Sequence, residues 1–376
     1  MSFLQNLANR HSVSLLCISR DEPDRDAVEQ LGRYCDSVDV VPLRSYRRRL
    51  NQIASLLSPR PLRVSSCKSR AIMKRITKTR QETAFDMVFA CDIRMAPYAL
   101  QLEHPCAILD FVDAYSIYYD RAAKVEKNLL LKLIFVVESL RMKSYERTVA
   151  REFATCLVSS SLDQRVLLST SPNGHSIQVI PNTIDTHSFE HTNGELESHS
   201  IAFVGYMGHK NNIDAVVHFC SDVLPRIVDR VRDAKFYIIG DNPSPEVRRL
   251  ARSNNNIIVT GHIADLVRFL AKLDVFVCPL RMGAGTRIKL LEAMAVGVPI
   301  VTSPLGCEGL DVTNGLQMLI ANDDRAFAEA VIRLFQDRSL RRSLTKQAKA
   351  FVQQYHDVTI VGTYLDRILT SLGLDK

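Results

Sequence analysis

Short apolar runs separated by polar, helix-forming stretches recur along the chain. In the first half, such runs lie at Ser12–Ser19, Ser37–Leu43, Phe85–Ala90, Cys106–Phe111 and Cys156–Ser160. In the second half, they lie at Ile201–Gly205, Lys235–Gly240, Asn256–Thr260, Asp274–Leu280 and Pro299–Thr302. Short apolar runs predict buried strands, and strands that alternate with helices predict parallel sheets. The pattern therefore indicates two doubly wound α/β domains.

The boundary between the two domains is marked by Gln178–Asp185 and the polar stretch that follows it to about residue 200. We predict a first domain at residues 1–183, a second at 184–345 and a final helical segment at 346–376. In open parallel sheets, ligands bind beyond the carboxyl ends of the strands. Two Rossmann-like domains that face each other are therefore expected to form one deep cleft.

The stretch Gly283–Leu310 carries the most chemical information. It places a Gly-Ala-Gly turn between a buried strand and a predicted helix at about Arg287–Val296. The free N–H groups and positive dipole end of a helix favour an anionic phosphate group, and Arg287 and Lys289 add cationic side chains. Glu292 lies on the same helical face as Lys289, where a carboxylate can accept hydrogen bonds from sugar hydroxyls. The motif predicts a phosphate site with a sugar beside it.

This stretch resembles the donor-binding motif of GT-B glycosyltransferases, specifically the retaining group of glycosyltransferase family 4 and its relatives. The resemblance covers Ile201–Asp337 and reaches back, more weakly, to about residue 85. It implies a metal- and cofactor-independent, retaining hexosyltransferase that moves a sugar from a UDP- or GDP-sugar to a glycan or lipid-linked acceptor. It also implies the GT-B fold, two Rossmann-like domains facing across a cleft. The final helix, at about Leu344–Leu374, is expected to cross back to the first domain.

By this resemblance, the donor is expected to bind the second domain. Lys289 corresponds to the family's diphosphate ligand and Glu292 to its ribose ligand. Backbone groups of His262 and Ile263 are expected to contact the nucleobase edge, with an ordinary exposed loop residue as the alternative for His262. The other donor-binding candidates are Gly205, Lys210, Arg281, Gly283, Gly285, Thr286 and Arg287.

Three of these positions leave alternatives open. Lys210 is either a second diphosphate ligand or a solvated lysine at a helix start. Arg281 either neutralises the diphosphate or pairs with Glu308. The acidic residue with which the family's motif usually begins falls at Ala284, so this chain resembles an exopolysaccharide subgroup, and its contacts to the sugar ring are not predicted.

In the first domain, Asp110 and Asp113 follow a predicted buried strand, where related enzymes carry a histidine or a catalytic acid. Asp113 is the catalytic candidate, and the alternative is a helix N-cap. The family's first domain opens with a strand, whereas residues 1–11 predict a helix. We expect either a strand upstream of Met1 or a remodelled enzyme, and loss of that strand would expose two sheet edges.

Basic residues concentrate in the first domain. Between Asp39 and Glu82 there are twelve Lys or Arg and no acidic residue. Residues 40–81 are therefore expected to face an anionic membrane surface or a lipid-pyrophosphate acceptor, or to be merely solvated. Nucleic acid is not expected, because Tyr46 is almost the only aromatic residue in the stretch. The apolar helical segment Arg121–Phe153 either packs on a sheet or lies in a membrane interface.

Other features exclude several classes of protein. Nine cysteines without a Cys-x-x-Cys pair, and a polar N-terminus, predict reduced thiols and a cytoplasmic location, with attachment to the inner face of the membrane as an option. The run Leu129–Val137 is shorter than the roughly 20 residues of a membrane span. Asp24-Arg-Asp26 has the form of a GT-A metal motif but reads as a solvated helix start, so no metal is predicted.

Two other functions are compatible with the same donor site. A sugar-nucleotide 2-epimerase would need further acidic and histidine residues facing the donor, and the sequence shows no clear set of them. A non-catalytic nucleotide-sugar-binding scaffold would be consistent with loss of the opening strand.

Overall fold

The computed structural model describes residues 2–19, 25–170, 176–189 and 197–374. The chain divides into two compact units. Unit 1 comprises Met1–Pro181 and Gly362–Lys376, and unit 2 comprises Asn182–Val361. The Asp24 half of the Asp-x-Asp motif lies outside the described residues, whereas Asp26 lies in the first turn of a helix.

The described part of unit 1 contains six parallel strands in two separate sheets. The strands are β1 (Ser14–Ser19), β2 (Ser37–Pro42), β3 (Val88–Cys91), β4 (Ala107–Asp110), β5 (Thr155–Val158) and β6 (Ile177–Val179). The helices that begin in this unit are α1 (Ser2–Ala8), α2 (Arg25–Gly32), α3 (Ser45–Ala54), α4 (Leu62–Ser66), α5 (Arg70–Glu82), α6 (Ala96–Ala99), α7 (Tyr115–Val125), α8 (Leu129–Val149) and α9 (Ser161–Thr170). Among the described residues, no helix is both long and apolar enough to cross a membrane.

The two sheets of unit 1 are β1-β2 and β3-β4-β5-β6. Each of β1 and β3 therefore has a hydrogen-bonded neighbour on one side only. Side chains of β2, α5 and α6 form a small apolar cluster, which includes Val41, Ile72 and Tyr98 and to which Leu16 and Ile18 of β1 add. The helix predicted within residues 1–11 is observed as α1, and the expectation of a strand upstream stays a prediction.

Unit 2 contains one six-stranded parallel sheet with the order β12-β11-β10-β7-β8-β9. The strands are β7 (Glu197–Val204), β8 (Lys235–Ile239), β9 (Ile257–Gly261), β10 (Leu273–Cys278), β11 (Ile300–Thr302) and β12 (Leu319–Ile320). The helices are α10 (Lys210–His218), α11 (Leu224–Arg230), α12 (Pro245–Ser253), α13 (Leu266–Leu270), α14 (Ile288–Val296), α15 (Asp324–Gln336), α16 (Arg338–Tyr355) and α17 (Val358–Ser371), the last of which continues into unit 1.

The core of unit 2 lies around its central strands. Phe203, Phe236 and Phe276 come from three neighbouring strands and are fully buried, and Phe219 packs against Phe236 from the π-helical turn between α10 and α11. The unbroken apolar runs of the sequence thus correspond to strands buried on both faces, as expected for a parallel sheet covered by helices. The predicted α/β class with parallel sheets is confirmed.

Two predicted helices are in fact interrupted. The segment Arg121–Phe153 contains the end of α7 and all of α8, because Asn128 caps α8 by accepting hydrogen bonds from Leu130 and Leu131 N–H. The segment Leu344–Leu374 is divided between α16 and α17 at His356–Asp357. The first break has a local cause, a capping side chain that starts a new helix.

The break after α16 is fixed by the start of unit 2. Ile184 forms a parallel β-bridge with Asp357, and its N–H and C=O bond to His356 O and Val358 N at 2.9 and 3.0 Å. Asp357 Oδ1 accepts a hydrogen bond from Thr359 N–H, and its Oδ2 accepts one from Thr186 Oγ1. Because His356, Asp357 and Val358 bond to residues 184–186, α16 and α17 do not form one continuous helix.

Candidate functional site

The candidate residues of unit 2 lie at one edge of its sheet. Gly205 directly follows β7, His262 follows β9, and Arg281 begins the loop after β10. All strands of this sheet are parallel, so their carboxyl ends meet at that edge. Within this sheet, β8 and β9 follow β7 on one side, and β10 is then added on the other side of β7. Ligands in open α/β sheets bind at such a reversal of strand order.

The loop between β10 and α14 has a backbone that requires glycine. Gly283 and Gly285 have φ angles of +138° and +74°, which other residues rarely adopt. A Cβ atom at Gly283 would also lie 2.6 Å from Nη2 of Arg287. Thr286 is buried, and Asn182 donates a hydrogen bond to its hydroxyl group. The loop therefore holds Arg287 and the start of α14 close to the end of β10.

Lys289 projects from the first turn of α14 into a closely packed setting. Its Nζ donates a hydrogen bond to Oδ1 of Asn212 at 3.0 Å and lies 4.1 Å from the centre of the Phe203 ring. A Cβ atom at Gly205 would be 2.8 Å from Nζ, so only glycine leaves room there. The ammonium group is thus held by a neutral amide and an aromatic face.

Burial changes the protonation of the two charged residues of α14. Lys289 keeps some accessible surface, but surrounding protein atoms lower its pKa to about 8, while the nearby Glu292 acts in the opposite direction. Burial also raises the pKa of Glu292, and Lys289 partly offsets this rise. The loss of solvation that disfavours both charges in the free protein would be relieved by a ligand that brings a complementary group to each.

Arg287 is the second cation at this helix end. Its Nη1 donates a hydrogen bond to the backbone oxygen of Ala284. Its Nε and Nη2 are buried and have no hydrogen-bond partner among the described residues. Buried donors without partners are costly, and they are expected where a bound group supplies the acceptor. Together with Lys289 and the N-terminus of α14, they favour an anion with several oxygen atoms.

Residues 198–337 match the family model described as glycosyl transferases group 1. The fold also matches that of Anabaena HepE, solved in complex with UDP and glucose, with a TM-score of 0.66 over 98% of this chain and 95% of that chain, at 13% identity. Residues 198–337 thus form a glycosyl transferases group 1 domain, and the chain is a glycosyltransferase with the GT-B fold. The predicted family, enzyme class and fold are therefore confirmed.

Two curated relatives agree with this family. An uncharacterized 44.6 kDa protein in the cps region of Klebsiella pneumoniae is 24% identical over 364 residues, which cover 92% of this chain and 88% of the relative. The capsular polysaccharide biosynthesis glycosyltransferase CapM of Staphylococcus aureus is 25% identical over 270 residues, covering 66% of this chain and 68% of CapM.

The remaining donor-site candidates of the glycosyltransferase are more exposed. Lys210 is the first residue of α10 and faces solvent. His262 is exposed and lies 3.4 Å from Asp241, while Ile263 packs against the core. Arg281 does not pair with Glu308 as the alternative interpretation had it. It forms a two-point ion pair with Asp214, at 2.6 and 3.0 Å.

Two residues that assemble the donor site are not evident from the sequence. Asn212 bonds to Lys289 across 77 residues of chain, and Asn182 bonds to Thr286 across 104. Asn182 belongs to the Ile-Pro-Asn-Thr segment, which the sequence indicates only as a linker. Its backbone oxygen also contacts Nδ1 of His356 at 2.8 Å. The signal that could have found Asn212 is its position two residues after Lys210, within the loop-to-helix segment that follows β7.

In unit 1, the two candidate carboxylates follow β4. Asp110 is almost buried, and burial raises its pKa to about 6 although its Oδ1 accepts a hydrogen bond from Val112 N–H at 2.8 Å. Asp113 does not cap α7 as its alternative role required, because the N-cap residue is Ala114, whose N–H is bound by the Asp163 carboxylate at 3.0 Å. Val112 has a φ of +64°, a strained value for a β-branched residue.

A further buried network lies beside Asp110 at the end of β3. Arg94 forms two hydrogen bonds with the Asp92 carboxylate, at 2.8 and 2.9 Å. Burial alone would raise the pKa of Asp92, but the hydrogen bonds and charge of Arg94 lower it. Tyr115 donates a hydrogen bond to Asp92 and receives one from Arg63. The sequence did not single out these residues, because they are scattered over 53 positions and match no motif.

One group of side chains in unit 2 has the composition of a metal site. His218, Asp222 and Asp324 place one ligand atom each within 4.8 Å of one another. Both imidazole nitrogens already lie close to carboxylates, Nδ1 at 3.1 Å from Asp222 and Nε2 at 2.8 Å from Asp324. The same two carboxylates contribute to the raised pKa of Arg281, after its hydrogen bond to Asp214. The group thus behaves as a network of surface ion pairs.

Proposed function

We propose that the enzyme transfers a sugar from a UDP- or GDP-sugar to a glycan or lipid-linked acceptor, with retention of configuration. The observation that carries this proposal is the setting of Lys289, a partly buried cation held by a neutral amide beside the unpartnered nitrogens of Arg287. Such an arrangement is unfavourable until an anion binds. A diphosphate, placed at the N-terminus of α14, satisfies both residues.

The same residues account for the chemistry. When the glycosidic bond to the diphosphate breaks, negative charge grows on the departing phosphate oxygens. Lys289, Arg287 and the α14 dipole stabilise this charge because they are already fixed in position. These cations take the place that a divalent metal has in other sugar transferases, so we expect turnover in the presence of a chelator.

The other donor-site candidates have positions consistent with supporting roles. Glu292 would accept hydrogen bonds from the ribose hydroxyl groups, and Thr286 and the glycines of its loop would allow close approach of the diphosphate. His262 and Ile263 would contact the base. Lys210 would contact a phosphate only if its exposed side chain turned toward the ligand, so we assign it a secondary role, as we do Arg281, whose charge is shared with Asp214.

We assign the acceptor to unit 1. Asp113 is the proposed catalytic residue, and the buried Asp110 beside it, with a pKa of about 6, is the group that could exchange a proton near neutral pH. The name of one relative supports a polysaccharide acceptor, since CapM is described as a capsular polysaccharide biosynthesis glycosyltransferase. We place the enzyme in the cytoplasm, at the inner face of the membrane, where such acceptors are assembled.

The proposal is tested by incubating the full-length protein with radiolabelled UDP- and GDP-sugars and a membrane lipid extract, with and without EDTA. Label transferred to the lipid or glycan fraction, unaffected by EDTA, supports it. Recovery of an epimerised sugar nucleotide would identify an epimerase instead. Binding of a nucleotide sugar without turnover would identify a scaffold. The Lys289→Ala variant serves as the control for a donor-dependent signal in every arm.

A further inference from the structure

Apolar side chains exposed to solvent are concentrated on unit 1. Among the described residues, nineteen large apolar side chains are exposed, and thirteen of them lie in two segments, 46–57 and 129–140. The first segment contributes Tyr46, Leu50, Ile53, Leu56 and Leu57, and the second Leu129, Leu130, Leu131, Leu133, Ile134, Val136, Val137 and Leu140. A contiguous apolar patch of this kind on a monomer marks a surface that contacts something other than water.

The two segments belong to one surface. Arg141 of α8 donates a hydrogen bond to the backbone oxygen of Leu56, at the end of the first segment. Glu138 of α8 accepts a hydrogen bond from Leu62 N–H at 2.7 Å and forms an ion pair with Arg141 at 3.0 Å. The loop after α3 is therefore bound to the middle of α8. We call the exposed apolar side chains of residues 46–57 and 129–140 the α3/α8 surface.

Helix α8 is buried mainly along its second half, and in its first half Phe135 packs against Tyr119. Met142, Glu146 and Val149 are buried, whereas Leu130 and Leu133 are 68% and 60% exposed. In the first three turns the exposed residues include neighbours in sequence, so the apolar character extends around the helix instead of forming one stripe. A helix that only packed on the sheet would bury its apolar side and expose a polar one.

The charges beside this surface are basic. Arg44, Arg47 and Arg49 of the α3 region are exposed, and residues 40–81 contain twelve basic and no acidic residues. Lys132 is exposed among the leucines of α8. An apolar face with a basic border complements a bilayer that carries anionic headgroups. A second copy of the chain would bring an equally basic border and is disfavoured.

We propose that the α3/α8 surface docks the enzyme on an anionic lipid bilayer. The leucines of α8 and Leu56–Leu57 enter the boundary between headgroups and acyl chains, and the arginines of α3 contact lipid phosphates. This proposal deepens the proposed function and rests on it in one respect, since docking would bring unit 1 to a lipid-linked acceptor. The surface itself is defined without reference to the donor site.

The test is flotation of the full-length protein with phosphatidylcholine vesicles, either pure or containing 30% phosphatidylglycerol, in 0.1 M NaCl. We expect the protein to float with the anionic vesicles and much less with the neutral ones. The double variant Leu130→Glu/Leu133→Glu should lower the partition coefficient at least tenfold. Arg47→Ala/Arg49→Ala should lower it on anionic vesicles and weaken its dependence on salt. Leu316→Glu, which changes an exposed leucine of unit 2, should have no effect.

Controls separate this proposal from the proposed function. UDP binding by calorimetry and the melting temperature should be unchanged in the Leu and Arg variants, and Lys289→Ala should float like the parent. The proposal would be overturned if Leu130→Glu/Leu133→Glu floated as well as the parent protein and the milder variant Leu130→Ser/Leu133→Ser did the same. The proposal would also be overturned if the parent protein bound no vesicles but formed an oligomer that the Glu variants convert to monomers. The α3/α8 surface would then contact another copy of the chain. If the parent protein failed to bind UDP but still floated with anionic vesicles, the proposed function would be rejected and the proposal for the α3/α8 surface would stand.

Discussion

The two units use the same kind of parallel strand and helix but differ in how completely they enclose their sheets. In unit 2, β10 is buried along its whole length at the centre of six strands. In unit 1, β1 is partly exposed at nearly every position and pairs only with β2. The unit with the closed core carries the charged residues of the proposed donor site, whereas the more open unit carries exposed leucines. Holding a buried cation such as Lys289 requires a rigid setting, and contact with a large or variable acceptor does not.

The largest expected difference between the units lies in their local stability. Opening a two-stranded sheet breaks few hydrogen bonds and exposes little apolar surface, whereas opening the centre of a six-stranded sheet does both. We expect backbone amides of Leu15–Cys17 to exchange with solvent at least about 100-fold faster than those of Val275–Val277. Hydrogen exchange followed by mass spectrometry measures this directly. Similar rates in the two strands would remove the contrast on which the comparison rests.

Replacing Lys289 by Ala tests whether the rigid unit is built around an anion. The variant loses a charge-assisted contact worth about 2–3 kcal/mol, so the Kd for UDP should rise by roughly 30- to 150-fold. Calorimetric titration measures the change. Lys272→Ala, which removes an exposed lysine of the same unit, should bind like the parent. An unchanged Kd in Lys289→Ala would place the nucleotide elsewhere.

The pH dependence of donor binding should report the same lysine. In the free enzyme the pKa of Lys289 is about 8, and a bound diphosphate raises it. Below pH 8 the residue is protonated in both states, so affinity is flat. Above pH 8 the free enzyme must take up a proton to bind, and the Kd for UDP should rise by up to about tenfold per pH unit. In Lys289→Ala this rise should disappear, and a parent curve that is flat to pH 9.5 would contradict the assignment.

The smallest effect is expected at Glu292. Glu292→Gln keeps the shape of the side chain but weakens its hydrogen bonds to ribose hydroxyl groups by about 1 kcal/mol, or roughly fivefold in the Kd for UDP. Binding of inorganic pyrophosphate, which has no ribose, should not change. Glu246→Gln at the exposed start of α12 is the matched control. Equal losses for UDP and pyrophosphate would show that Glu292 acts on the phosphate region and not on the sugar.

The sequence indicated those residues of the proposed donor site that are close together in the chain. One strand, turn and helix hold Gly283, Arg287, Lys289 and Glu292, so their spacing alone indicates the chemistry. Asn212, which positions Lys289, comes from another strand end, and only the sheet order brings it near. The strand positions were also close to those observed, because strands buried on both faces leave unbroken apolar runs.

The sequence was less informative where a single capping side chain or a tertiary contact decides the outcome. Residues 121–153 have helical composition throughout, yet Asn128 divides them. The short strand β6 overlaps the predicted linker, because its three residues do not form an apolar run that would indicate a strand. The network around Asp92 follows from the approach of β3, α4 and α7, which no local pattern encodes. In unit 1, the sequence therefore predicts most of the strands but not the polar clusters.

The β-bridge between Ile184 and Asp357 has a consequence for engineering. It fastens the first and last segments of unit 2 side by side, so this part of the molecule leaves and rejoins the chain at nearly one point. A module whose ends meet can be cut out, joined by a short linker or inserted into another scaffold with little distortion. If unit 2 binds the donor as proposed, it could be transferred as one module and joined to a different acceptor-binding unit to test for new sugar linkages.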